Sequence, residues 1–99
     1  MTENGLKDMD NNIFVGEKPF MNYVNGVMMQ FTTKNAGSVI IKARGRYISR
    51  AVDIAEVIVR RFLEGKVQYN GVVGGSEAYN NKDGRDVRVS SIEITLKTM

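Results

Sequence analysis

The spacing of the apolar residues changes several times along this chain, and that change restricts the folds that it can adopt. Over residues 19–31 apolar side chains recur at intervals of three and four, which is typical of one face of an amphipathic helix. The same interval returns over residues 47–63. Short runs rich in β-branched side chains predict strands, and these runs are residues 13–16, 38–44, 66–73 and 87–97.

The order of these segments, βαβαββ, predicts an α+β fold. Because each helix has one apolar stripe, both pack most simply on one face of a four-stranded mixed sheet, as a two-layer sandwich. The 99 residues suffice for one hydrophobic core. Residues 1–12 are polar and lack periodicity, so we expect a flexible tail there, followed by a single domain over residues 13–99.

The composition argues against several classes of function. The chain has no cysteine and no histidine, which removes the commonest nucleophiles, general bases and metal ligands. Asp53 and Glu56 are one turn apart on the second helix, but Arg50 and Arg60 are spaced to pair with them. We therefore predict no enzyme, no cofactor, no metal and no small-molecule substrate. No apolar run reaches the roughly 18 residues of a membrane span, and we expect a cytoplasmic protein.

Positive charge is concentrated in the predicted domain. The net charge of the chain is +3, yet residues 13–99 carry 13 basic and 8 acidic residues. A basic domain favours a polyanionic partner, although a charged surface that only aids solubility fits this number equally well.

The segment 42–46 (KARGR) is the strongest local feature. Strand periodicity places Lys42 and Arg44 on one face, opposite Val39 and Ile41. The run ends in a glycine turn that leads into a helix N-terminus, whose free amides favour an anion. Together with Arg46, the two cations predict a phosphate clamp; the alternative is an exposed charged loop.

A second feature is a hairpin over residues 73–91. Its Asp83-Gly84 pair predicts a two-residue turn, which places Tyr79 opposite Arg88. The end of this ribbon is polar on both faces, so it projects from the core by about 25 Å at about 3.4 Å per residue. A solvent-exposed hairpin with no partner is the alternative. Its basic residues, which would fit a nucleic-acid groove, are Lys82, Arg85 and Arg88.

Three sets of residues resemble the Alba family of archaeal chromatin proteins. Residues 16–24 (GEKPFMNYV) are similar to its opening motif, and residues 41–46 (IKARGR) with 48–53 (ISRAVD) to its central motif. Residues 83–85 (DGR) and 88–94 (RVSSIEI) resemble its hairpin and last strand. The resemblance implies a fold like that of the C-terminal domain of a bacterial translation initiation factor, and a homodimer whose two hairpins extend along a duplex.

The resemblance also implies roles for individual residues. The phosphate contacts fall on Lys18, Arg44 and Arg46, with Lys42 beside them, and the minor-groove contacts on Lys82, Arg85 and Arg88. Phe62 matches a phenylalanine through which dimers meet on DNA. Glu17 departs from the family pattern, which has a lysine there, and we expect an anion at this position to weaken binding.

Three functions remain open. The first is a dimeric, largely sequence-independent binder of double-stranded DNA, associated with the chromosome and acting in its organisation or in gene regulation. The second is an RNA-binding protein that acts on structured or double-stranded RNA. The third is a protein-interaction module, which the wide apolar face of the second helix favours. The scarcity of exposed aromatic residues argues against a stacking platform for single strands.

Overall fold

The computed structural model describes residues 11–99. The flexible tail predicted for residues 1–12 falls almost wholly outside this range, and the first strand begins at the tail's last position. The six helices and strands of residues 11–99 are β1 (Asn12–Phe14), α1 (Phe20–Thr32), β2 (Ser38–Arg44), α2 (Ile48–Val57), β3 (Val67–Asn80) and β4 (Asp86–Thr98). The predicted order βαβαββ is confirmed. A 3₁₀ turn (Gly45–Tyr47) leads into α2, and a π-helical turn (Ile58–Phe62) follows it.

The four strands form one mixed sheet in the order β1-β2-β4-β3. β1 is parallel to β2, whereas β2 with β4 and β4 with β3 are antiparallel. Ile41 pairs with Ile94 and Val39 with Leu96, and all four side chains are buried. Both helices cover this apolar face, which confirms the two-layer architecture. The alternate residues of the strands point to the opposite face of the sheet, which we term the open face.

The core is filled by aliphatic side chains from both layers. Val24 and Val27 of α1 and Ile54 of α2 are completely buried, as is Ile58 of the π-helical turn. Burial of each such side chain stabilises the fold by about 1.5–3 kcal/mol. No helix of residues 11–99 has the length and apolarity needed to cross a membrane.

The hairpin formed by β3 and β4 is longer than the sequence predicted, and its turn is different. The loop has three residues instead of two: the Gly84 amide donates to the Asn81 carbonyl, and the Asn81 amide donates to the Arg85 carbonyl. The side-chain Oδ1 of Asn81 also accepts from the amides of Asp83 and Arg85 at 2.9 and 3.1 Å. Gly84 has φ of 78°, as such loops require at their last position.

This turn moves the register of the hairpin by one residue. Tyr79 lies opposite Val87, and Arg88 lies opposite Ala78. The predicted pair of Tyr79 with Arg88 is therefore wrong. The reason is local: the Asn81 side chain holds two amides of a longer loop, which an Asp-Gly turn of two residues does not allow.

Candidate nucleic-acid interface

Two neighbouring loops lie at the N-terminal end of α2, and the first joins β1 to α1. The hydroxyl of Tyr23 accepts hydrogen bonds from the amides of Gly16 and Lys18 at 2.9 and 3.0 Å. From the other side, Nη1 of Arg50 donates to the carbonyls of the same two residues, at 2.8 Å each. The backbone of this loop is thus fixed by both helices, while the side chains of Glu17 and Lys18 remain exposed.

The second loop is the 3₁₀ turn that carries Arg46. The guanidinium of Arg46 donates to the Tyr47 hydroxyl at 2.9 Å and lies 5.1 Å from the centroid of the Tyr47 ring. The hydrogen bond to Tyr47 raises the pKa of Arg46, and the negative charge of Glu17 raises it further. Gly45 turns the chain at φ of 57°, a value that favours glycine.

Lys42 and Arg44 project from β2 onto the open face, as the strand period predicts. Each has a carboxylate beside it: Nζ of Lys42 lies 3.8 Å from Glu93, and Nη2 of Arg44 lies 3.3 Å from Glu77. Lys42 also stands 5.6 Å from the centroid of the Phe14 ring. Because Arg44 and both carboxylates are solvent-exposed and Lys42 is partly exposed, each pair contributes only about 0–1 kcal/mol.

A groove of about 700 Å³ runs along the open face from β1 to the base of the hairpin. We term it the open-face groove. Aromatic and basic side chains line it, namely Phe14, Tyr47, Tyr79, Lys42, Arg44 and Arg46. The carboxylates of Glu77 and Glu93 lie between them. The expected scarcity of exposed aromatic residues is therefore wrong for this surface, where the Phe14 side chain is 69% exposed.

The outer part of the hairpin carries the other predicted cations. Lys82 lies in the three-residue loop, and Arg85 follows that loop. Arg88 projects from the ribbon on the side opposite to Tyr79, and its Nη1 donates to Oγ of Ser76 at 3.3 Å. The ribbon thus presents cations at its tip and on the face opposite to the open-face groove.

A separate polar cluster ties α2 to β3. Glu56 Oε1 accepts from Arg60 at 2.7 Å, which confirms the predicted ion pair, and Glu56 Oε2 accepts from the Tyr69 hydroxyl. The hydrogen bond from Tyr69, together with that from Arg60, lowers the pKa of Glu56. Burial, with the bond to Glu56, raises the pKa of Tyr69 to about 12. Among residues 11–99, no group of three or more acidic residues is arranged to hold a metal ion.

The family model named Alba matches residues 11–76 of the chain. The chain belongs to the Alba family. It is similar to the DNA/RNA-binding protein Alba of Methanococcus maripaludis, with 46% identity over 89% of this chain and 98% of the relative. It is also similar to the protein of that name in Methanocella arvoryzae, with 51% identity over 89% and 90% of the two chains.

Solved structures of Alba proteins share the fold. Alba from Thermoplasma volcanium superimposes with a TM-score of 0.78 at 46% identity, over 87% of this chain and 98% of the other. An Alba protein from Trypanosoma brucei gives a TM-score of 0.68 at 19% identity, over 90% and 69% of the two chains, and shows the fold alone. Membership of the Alba family also confirms the prediction that the chain is not an enzyme.

In this Alba chain the predicted site residues fall into four places. Lys42, Arg44 and Arg46 line one groove, and Lys18 stands on the loop that Arg50 holds. The hairpin carries Lys82, Arg85 and Arg88. Phe62 is half exposed in the π-helical turn, at the other end of α2 from Arg46.

Sequence reasoning missed the positioning role of Arg50, which it paired with Asp53 on the helix surface. The available signal is its place in the first turn of α2. Side chains of a helix point back toward its N-terminus, so an arginine there reaches beyond the helix start.

Proposed function

We propose that this Alba protein is a homodimer that binds double-stranded DNA largely without sequence preference. It then associates with the chromosome in the cytoplasm and acts in chromosome organisation or gene regulation. The observation that carries the proposal is the double anchoring of the loop that bears Lys18, by Tyr23 and by Arg50 of α2, the helix that follows the Arg46 turn. The names of its relatives, which bind DNA and RNA, support it.

The two loops suit phosphate groups. Arg46 is oriented by Tyr47 before any ligand arrives, so little side-chain entropy is lost on binding. A guanidinium presents two parallel donors to a phosphate, and the adjacent start of α2 adds the favourable end of a helix dipole. Such contacts fix the protein on the backbone without reading bases. The hairpin, with Lys82, Arg85 and Arg88, then follows the minor groove.

Exposed apolar residues supply the contact between the two chains. Val52 of α2 is 38% exposed, and Val72 of the edge strand β3 is 56% exposed. Both lie outside the core that the helices and sheet form, and their burial favours association. The proposed role of Phe62 is the contact between dimers on DNA.

A titration that varies salt tests the proposal. For a random duplex of about 30 base pairs, roughly six phosphate contacts lower the affinity about 1000-fold between about 50 and 200 mM salt. The second candidate ligand is structured RNA, because the same cations can bind its backbone. A competition titration compares it with the duplex. Absence of binding at low salt, or a flat salt response, contradicts both and favours a protein-interaction module. Sedimentation of the free protein measures the dimer.

A further inference from the structure

The duplex contacts proposed above leave Phe14, in the open-face groove, without a role. Phe14 stands on the edge strand β1 with 69% of its side chain exposed, although burying such a ring is worth about 1.5–3 kcal/mol. Lys42 lies over one part of the ring, at 5.6 Å from its centroid. The exposed part of the Phe14 ring remains available to a flat partner.

The strand register makes the floor of the open-face groove low over β4 and β3. Phe14, Lys42 and Glu93 form one row across β1, β2 and β4. In the next row of the open face, Arg44 pairs with Ser91 and Ser91 pairs with Gly75, so the side chains of this row are small on β4 and β3. A Cβ at Gly75 would come within 3.3 Å of Oγ of Ser91 and narrow this space. This low part of the floor therefore lies between the row of Glu93 and the row that pairs Val89 with Glu77.

We propose that the open-face groove binds an unpaired guanine in a single-stranded stretch of nucleic acid. The base stacks on Phe14, the carboxylate of Glu93 accepts from its N1–H and N2–H groups, and Arg44 contacts a neighbouring phosphate. The inference rests on the proposed nucleic-acid function, since Arg44 serves both. The groove volume, about 700 Å³, lies within the roughly 300–1,000 Å³ of small-ligand sites.

The choice of guanine follows from the chemistry of a carboxylate. An ionised carboxylate only accepts hydrogen bonds, and its two oxygens match two adjacent donors. Guanine alone has two such donors on its Watson–Crick edge, whereas the N3–H of uracil is flanked by carbonyls that repel the anion. In a duplex this edge is already paired, so only an unpaired base offers it. At 3.8 Å the Lys42 contact is longer than a hydrogen bond, which leaves the Glu93 oxygens available.

The test is a fluorescence anisotropy titration of the full chain at fixed salt. The probes are labelled oligouridines of about ten nucleotides that carry one central guanine, one central adenine or neither, and the same three sequences as deoxyribonucleotides with thymine in place of uracil. We expect the guanine probe to bind about tenfold more tightly than the others, which is within the range of one stacked and hydrogen-bonded base. The preference in either polymer supports the proposal, because the ligand is the base.

Variants separate the two interactions. Phe14→Ala should weaken binding of the guanine probe about tenfold, Phe14→Tyr should retain it, and Glu93→Gln should remove the preference for guanine. Met29→Ala and Glu64→Gln remove exposed side chains elsewhere and should change nothing.

Duplex DNA, titrated in parallel, distinguishes the two proposals. Phe14→Ala should leave duplex affinity unchanged, because the phosphate contacts do not use the ring. Duplex binding without a guanine preference, or a preference that survives both Phe14→Ala and Glu93→Gln, overturns this inference alone. Absence of duplex binding overturns the proposed function.

Discussion

The guanidinium of Arg44 on β2 lies 3.3 Å from the carboxylate of Glu77 on β3, so this ion pair spans the intervening strand β4. Both side chains are more than half exposed. An exposed pair of this kind adds little to stability. The pair affects ligand binding instead, because Glu77 pairs with Arg44, which the proposed phosphate contact needs.

Glu77→Gln should therefore strengthen duplex binding by about three- to tenfold, as expected when roughly 1 kcal/mol of competing charge is removed. The salt dependence should become steeper because Arg44 is free to contact a phosphate. Glu64→Gln removes the same charge from the turn after α2 and serves as the matched control. Equal gains from both variants mean that net charge, and not the pair with Arg44, sets the affinity.

Arg44→Glu combined with Arg46→Glu should reduce duplex affinity by at least about 100-fold. Each charge-assisted hydrogen bond to a phosphate contributes on the order of 1.5–3 kcal/mol, and the proposed dimer loses four arginines. Electrophoretic mobility shift measures the loss, and size-exclusion chromatography checks that the dimer persists. Tight binding by an intact double variant excludes these arginines from the interface.

Glu17→Lys should raise duplex affinity by several-fold and steepen the salt dependence. Glu17 acts electrostatically on Arg46, and its anion opposes a phosphate at the same place. Isothermal titration at two salt concentrations measures both effects. If neither changes, the side chain at position 17 points away from the bound duplex.

The strand β2 shows what the sequence predicted well. Its bounds, residues 38–44, and the division of its side chains between two faces both follow from alternation with a period of two. The same local periodicity located α1 and α2. Because the apolar stripes of all these elements face one core, the periodicity also predicted how the elements pack.

The contacts of Glu77 and Arg50 were not predictable in the same way. Glu77 meets Arg44 only because the Asn81 loop sets the register of β3 on β4. Arg50 meets carbonyls of a loop 34 and 32 residues earlier in the chain. Both contacts depend on the tertiary arrangement, which periodicity within single elements does not specify.

Arg50→Ala should weaken duplex binding several-fold, although Arg50 is assigned no contact with DNA. It removes two hydrogen bonds at 2.8 Å and so loosens the loop that presents Lys18. A double-mutant cycle with Lys18→Ala measures the coupling, which should be clearly non-additive. Arg61→Ala, an exposed arginine after α2, is the control for lost charge. Additive losses from Arg50 and Lys18 contradict the positioning role.

Tyr69 should make the stability of the fold depend on alkaline pH. Its folded-state pKa, about 12, is above the ordinary value of 10.0, so its neutral form is favoured in the folded chain. That contribution is complete below about pH 10 and is lost as the pH rises through about 12. Tyr69→Phe lacks this titration and the hydrogen bond to Glu56. The Tm of the wild-type chain should therefore exceed that of Tyr69→Phe at neutral pH, and the difference should shrink between about pH 10 and 12. A difference that stays constant over this range shows that Tyr69 ionises alike in the folded and unfolded chains.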